Sequence, residues 1–165
     1  MNKQINTPAA KRIAVVAGNN KRKDLVEWSY FNNDILNQHR LTAIDETADV
    51  LEGTLNGPVN RLFTRDTGGY QQLATLIENG KIDILFFFAD PSMNNDKDTD
   101  LKKVLLVAAK KNIMVACNEA TTELVMTSVL QRKDHPARLR SYPGFLKQTV
   151  SFINQLALKH SAAAM

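Results

Sequence analysis

Five short apolar runs recur along the chain, and polar stretches of helical periodicity separate them. Four of the runs are nearly continuous rather than alternating, which is typical of strands that are covered on both faces. The pattern predicts strands over residues 12–17, 41–44, 59–63, 82–88 and 113–117.

The intervening segments carry apolar residues at helical spacing. In residues 100–111, for example, Leu101, Val104, Leu105 and Ala108 fall on one helical face. Asn56-Gly57 and Gly80 provide stop signals for two of the helices. The predicted helices cover 21–31, 35–38, 47–55, 71–79, 100–111, 122–130 and 145–158.

Alternation of strands and helices predicts an α/β fold: a single-domain, three-layer αβα arrangement around a five-stranded, mainly parallel sheet. We expect the domain to span residues 11–158, between a flexible N-terminus at 1–10 and a flexible tail at 159–165. In such folds the ligand site lies beyond the carboxyl ends of the strands, so the loops that follow the strands are the candidates for function.

Composition fits a cytoplasmic globular protein. The chain has 165 residues, of which 44% are hydrophobic, and no apolar run approaches the length of a membrane span. The first ten residues hold no apolar segment before the first lysines, so we expect no secretory signal. Cys117 is the single cysteine, and its apolar context predicts a buried, inert thiol.

The chemistry of metals, nucleotides and nucleic acids is not indicated. The three histidines, at 39, 135 and 160, are scattered, and the loop AGNNKR after the first strand lacks a GxGxxG fingerprint, so we expect neither metal nor cofactor. The net charge is +4, and a basic stretch lies at 131–140. No aromatic residues interleave with that stretch, which favours a solvated loop or a subunit contact over nucleic-acid binding.

Two loops carry candidate chemistry. Gly68-Gly69, just before a helix, could direct backbone N–H groups at an anion, or could merely form a tight turn that needs positive φ. Asp90 and Asp100 flank a ten-residue loop, where they could serve acid–base or ligand-orienting roles, or Asp100 could be a helix N-cap.

The run TGGYQQLATLIENGKIDILFFFADP resembles the signature of the methylglyoxal synthase family, in which a GGDQQ motif, an IxxGKID turn and an FFxDP strand end follow in this order. The match continues through DTDLKKVL and VACNEAT and covers roughly residues 11–130. The resemblance implies a homo-oligomer, typically a hexamer. It also implies a cleft that holds dihydroxyacetone phosphate by its phosphate, while a carboxylate removes a carbon-bound proton and phosphate is expelled to leave methylglyoxal.

Several positions of the family's site are substituted. By the resemblance, the catalytic aspartate falls on Tyr70, and the histidine–aspartate pair after the first strand falls on Gly18 and Asn19. The family's histidine in the loop after the fourth strand becomes Lys97. The phosphate-contacting and neighbouring ligand-binding positions fall on Arg22, Ile44, Asp45, Glu46, Thr47, Thr64, Arg65, Gly68 and Gly69, and the carboxylates Asp90 and Asp100 are retained.

These departures weaken both halves of the chemistry. A phenol has a reference pKa of about 10, so it is a poor base at neutral pH, and we interpret Tyr70 as a plug that closes part of the cleft. Asp45 and Glu46 put negative charge in the phosphate turn, which Arg65 or Lys97 could neutralise. We therefore expect a small-ligand-binding or regulatory oligomer with little or no synthase activity. The alternative is a working synthase, a carbon–oxygen lyase acting on a phosphate, with a rearranged base.

Overall fold

The structure is a computed structural model that describes residues 10–90 and 99–130, all within one compact unit. The predicted helix over 145–158, the basic stretch at 131–140 and, apart from residue 10, the two flexible ends lie outside the described residues.

Five parallel strands form one sheet, in the order β3-β2-β1-β4-β5. Each lies within two residues of its predicted bounds, because a run of buried apolar side chains marks it in the sequence. The strands are β1 (Arg12–Ala17), β2 (Arg40–Ile44), β3 (Asn60–Leu62), β4 (Ile84–Phe88) and β5 (Met114–Ala116).

Helices connect the strands and cover both faces of the sheet. The predicted sixth helix begins earlier than expected, at Glu119, because Asn118 caps it by accepting a hydrogen bond from the Thr121 N–H (2.8 Å). A π turn, Met126–Leu130, follows it. The helices are α1 (Arg22–Phe31), α2 (Asn33–Leu36), α3 (Asp45–Leu55), α4 (Gly69–Glu78), α5 (Thr99–Lys110) and α6 (Glu119–Val125).

Alternate strand residues feed two separate cores. Ile13 and Val15 of β1 face one core, which α1, α2, α3 and the α6 region cover. Ala14 and Val16 face the other, which α4 and α5 cover. Successive strand residues point to opposite faces of the sheet, and both faces are buried. The strands therefore appear in the sequence as continuous apolar runs. The carboxyl ends of all five strands consequently meet at one edge, which is left to the loops.

Turn residues end the helices as the sequence predicts. Asn56 adopts a left-handed conformation (φ 49°) just after α3, and Gly80 does so (φ 66°) in the turn after α4. At the opposite edge of the sheet, Arg12 binds both carboxylate oxygens of Asp83, at 2.6 and 3.0 Å. This pair joins the start of β1 to the turn before β4, and the neighbouring guanidinium lowers the pKa of Asp83.

The prediction that Cys117 is buried is wrong. Its side chain is exposed, because β5 ends one residue earlier, at Ala116. Partial burial of the side chain raises the pKa of its thiol, which keeps it protonated at neutral pH. Within the part of the chain that the structure describes, no helix is both long and apolar enough to cross a bilayer.

Candidate functional site

The first part of the candidate site is a small pocket beyond the carboxyl ends of β1 and β2. It has a volume of about 110 Å³ and lies between the N-terminal turns of α1 and α3. Five of the residues predicted for the site line it, namely Gly18, Asn19, Arg22, Glu46 and Thr47. The sequence thus predicts correctly that these two loops meet, since adjacent parallel strands bring them to the same edge.

A larger pocket, about 590 Å³, lies beside α1 and beyond the ends of β4 and β5. Phe88, Cys117 and Glu119 are among its lining residues, but none of the predicted site residues is. We place the candidate site at the smaller pocket, because chemistry and not volume distinguishes a functional site.

The second part of the site is the segment TGGYQQ, in which each residue from Gly68 to Gln72 has a structural role. Gly68 has a φ of 104°, which a side chain would strain. A Cβ on Gly69 would collide with the Phe63 carbonyl oxygen and lie 2.9 Å from that of Thr64. The Gly69 N–H donates to the Thr64 carbonyl (2.9 Å), so this N–H is engaged within the turn. The geometry supports the tight-turn interpretation of the glycine pair.

Tyr70 occupies the first turn of α4 and is 2% exposed. Its ring belongs to the core that α4 and α5 cover, together with Ile44 and Leu73. The guanidinium of Arg65 lies 5.9 Å from the centroid of the ring, on a 3-10 turn that precedes α4. The side chain at this position is therefore part of the packed interior rather than of an open cleft.

The two glutamines after Tyr70 hold the turn in place, and sequence analysis missed both roles. Gln71 donates through Nε2 to Oδ2 of Asp100 (2.6 Å), and Gln72 accepts the Phe63 N–H on Oε1 (2.6 Å). The repeated glutamine in the quoted motif was the available signal. Asp100 lies in the first turn of α5, which begins at Thr99, so it is not the N-cap.

Asp90 joins the loop after β1 to the end of β4. It is 7% exposed, and its Oδ2 accepts the backbone N–H of Asn20 at 3.0 Å. The side-chain amide of Asn20 lies 3.5 Å from the other oxygen. A buried carboxylate that accepts a backbone N–H fixes the position of the loop, and Asn19 and Arg22 flank the anchored residue. This positioning role of Asn20 was not predicted.

Asp45 is removed from the site by a partner that the sequence analysis did not consider. Its Oδ1 lies 2.6 Å from NH1 of Arg61, which also binds Asp49 and Glu52 at 2.8 Å each. These three carboxylates are spaced i, i+4 and i+7 on α3, and they raise the pKa of Arg61 far above its ordinary range. Arg61 therefore pairs with Asp45, in the role expected of Arg65 or Lys97, and shares its one positive charge among three carboxylates.

The remaining predicted residues have varied positions. Ile44 ends β2 and is 4% exposed, and Thr64 precedes the 3-10 turn, where its hydroxyl lies 2.7 Å from that of Thr67. Lys97 lies outside the described residues. Among residues 10–90 and 99–130, no group of three histidine, cysteine or acidic residues is arranged to hold a metal ion.

Comparison with known proteins identifies consistent relatives. The chain is 34% identical to a methylglyoxal synthase of Leptospira interrogans serogroup Icterohaemorrhagiae serovar copenhageni over 140 residues, which is 85% of this chain and 95% of the relative. It is 39% identical to that of Cellvibrio japonicus over 126 residues, 76% of this chain and 82% of the relative.

A solved structure agrees with these relatives. The crystal structure of methylglyoxal synthase from Elizabethkingia anophelis NUHP1 superposes with a TM-score of 0.69 at 33% identity, covering 86% of this chain and 93% of that one. A comparison with models of protein families finds no match. With identity at this level over most of its length, the chain belongs to the methylglyoxal synthase family.

Proposed function

We propose that this family member binds a small ligand in the pocket beyond β1 and β2, in a ligand-binding or regulatory role, and has little or no synthase activity. The observation that carries the proposal is the burial of Tyr70. A residue that is 2% exposed within an apolar core stands where the resemblance implies the carboxylate base.

A buried phenol is unsuited to the work of that base. Removing a carbon-bound proton requires a group that is unprotonated near neutral pH and within hydrogen-bonding reach of the substrate. A phenol meets the first requirement poorly, with a reference pKa of about 10. Burial of the ring in the core that α4 and α5 cover places the phenol out of reach of a substrate. Loss of a general base typically costs about 10²–10⁴-fold in rate.

The substituted phosphate turn supports the same proposal. Ile44 has no hydroxyl to offer and is buried in the same core as Tyr70. Glu46 lines the pocket and adds a negative charge where a phosphate would lie. Asp45 contributes less repulsion than Glu46, because it pairs with Arg61 and is not one of the described residues that line the pocket. Two polar positions of the family's site have thus become core, and a third has become anionic.

One observation favours the alternative, a working synthase with a rearranged base. The carboxylate of Asp100 is 40% exposed and is held by Gln71, the neighbour of Tyr70 in α4. A positioned, accessible carboxylate at this end of the molecule could take over proton abstraction. This alternative predicts that turnover depends on Asp100 rather than on Tyr70.

We further propose that the chain forms a homo-oligomer, specifically a hexamer, and works in the cytoplasm. The oligomer is what the family resemblance implies. The exposed apolar side chains of Tyr30 (66%) and Phe31 (81%) at the end of α1 are suited to a subunit contact. The single cysteine is typical of a reducing compartment.

The test is formation of methylglyoxal and phosphate from dihydroxyacetone phosphate by the purified full chain. A competent synthase from the family, assayed in parallel, provides the reference rate. The proposal expects turnover at least about a hundredfold below that reference. Turnover near the reference would overturn it, and an Asp100→Asn variant would then test the alternative.

A further inference from the structure

The described part of the lining of the pocket beyond β1 and β2 carries one charge of each sign. Arg22 and Glu46 are its two charged lining residues, and both are exposed to solvent. Neither forms an ion pair with the other, or with any residue in the described ranges. Opposite charges that share a pocket without pairing leave both available to a ligand.

Three charged groups in the neighbouring loops have partners of their own. Lys21 pairs with Asp24 (2.7 Å), Asp45 pairs with Arg61 (2.6 Å), and Asp90 accepts the Asn20 N–H. The described lining of the pocket thus offers one positive side chain, on α1, and one negative side chain, on α3. This arrangement disfavours a phosphate dianion, which would gain one partner in Arg22 and meet repulsion from Glu46.

From these contacts we propose that the pocket takes a small zwitterion, a molecule with one carboxylate and one ammonium group. The carboxylate would accept hydrogen bonds from the planar guanidinium of Arg22, and the ammonium would donate to the carboxylate of Glu46. Asn19 and Thr47 add neutral polar groups to the lining, and Leu25 and Val50 add apolar surface for a short carbon skeleton. This inference rests on the proposed ligand-binding function and names the chemistry of its ligand.

The size of the pocket limits the ligand to few atoms. A volume of about 110 Å³ accommodates a molecule about as large as several water molecules. It is well below the roughly 300–1,000 Å³ of pockets that enclose drug-sized ligands and cofactors. Small amino acids meet both the size and the charge requirement, so glycine and β-alanine are suitable probes.

Equilibrium dialysis of the full chain tests the inference, with glycine, β-alanine, acetate, methylammonium and inorganic phosphate as separate probes. We expect at least one of the two zwitterions to bind about fivefold or more tightly than acetate and methylammonium, because it gains a second charge pair. Glu46→Gln should reduce its affinity to that of acetate, and Arg22→Gln to that of methylammonium. Glu78→Gln, which removes an exposed carboxylate at the end of α4, is the matched control and should leave all affinities unchanged.

Equal binding of zwitterions and single-charge probes would overturn the inference. So would a zwitterion preference that Glu46→Gln leaves intact, or phosphate binding tighter than either zwitterion. The turnover assay separates this failure from failure of the proposed function. If the chain has no turnover and shows no preference for zwitterions, the inference alone is rejected. If turnover reaches the level of a synthase, the proposed function is rejected, whatever the probes show.

Discussion

The guanidinium of Arg65 lies 5.9 Å from the centroid of the Tyr70 ring. By the family resemblance, Arg65 stands within a phosphate-contacting serine–glycine pair, and Tyr70 stands in place of the catalytic aspartate. A cation near the face of an aromatic ring is attracted to it, so the two substitutions form a contact with each other. The site has changed at mutually supporting positions.

Gly69→Ala should destabilise the fold, because the new methyl group would collide with the Phe63 carbonyl oxygen. Overpacking of this kind costs about 1–3 kcal/mol. Urea unfolding followed by circular dichroism measures the change. Gly53→Ala is the matched control. Gly53 lies within α3, and beyond its own stretch of helix no described atom comes within 4 Å of an added Cβ, so alanine should stabilise there by about 0.5–1 kcal/mol. Equal effects at the two positions would contradict the close approach of β3 to α4.

Inorganic phosphate should respond more to Glu46 than to Asp45. Glu46→Thr removes a negative charge from the pocket and should tighten phosphate binding about fivefold, the equivalent of one like-charge contact at about 4 Å in water. Asp45→Thr should have a smaller effect, because Asp45 pairs with Arg61 and does not line the pocket. Calorimetric titration of both variants decides the matter. An equal gain in the two variants would show that Asp45 also faces the ligand.

Stability should fall as the pH drops below about 6.5, the reference pKa of histidine in the unfolded chain. His39 accepts the Lys11 N–H on Nδ1 (3.1 Å), and its buried Nε2 has no hydrogen-bond partner within residues 10–90 and 99–130. Burial, followed by the charge of Lys11, lowers the pKa of His39 in the folded state. The unfolded state therefore binds more protons, and folding loses free energy from that pH down to the folded-state pKa.

Urea unfolding at about pH 8 and about pH 5.5 tests the role of His39, with His39→Asn beside the wild type. Asparagine can still accept a hydrogen bond and does not titrate. The variant should lose less stability between the two pH values than the wild type. The same loss in both proteins would assign the pH dependence to other groups.

The sequence predicts the fold, and it predicts which loops lie together at the candidate site, because both depend on local patterns. Buried strands appear as apolar runs, and parallel pairing brings the loops that carry Gly18 and Glu46 to one edge. The partners of individual charges do not follow from such patterns. Arg61 reaches Asp45 because β3 lies beside β2 and next to α3, which only the three-dimensional arrangement reveals.

The sequence also does not predict the end of a strand to within one residue. Cys117 continues the apolar run IMVAC, yet the strand ends at Ala116 and the side chain is exposed. The burial of Tyr70 is similar, since a tyrosine in the first turn of a helix could face either solvent or the core. In the core it packs with Ile44, which is far from it in the sequence, and with Leu73 of the same helix. The sequence alone does not show that these three side chains meet.

Light scattering of the purified chain should show an oligomer several times the mass of one subunit, with a hexamer as the expected species. Phe31→Ser should weaken assembly if the exposed end of α1 contributes to the contact. Lys23→Ser, an exposed polar change on the same helix, is the control. A single-subunit mass for the wild type at micromolar concentration would contradict the oligomer.

The most direct test of the central claim is formation of methylglyoxal from dihydroxyacetone phosphate by the wild type, Tyr70→Phe and Tyr70→Asp. We predict turnover at least about a hundredfold below a competent synthase in the wild type, because the position of the base holds a buried phenol. Tyr70→Phe should leave that residual rate unchanged. Tyr70→Asp should not restore full activity, since Gly18, Asn19 and Glu46 still stand in place of the family's groups. Substantial wild-type turnover that Tyr70→Phe abolishes would make the tyrosine a catalytic group and contradict this account.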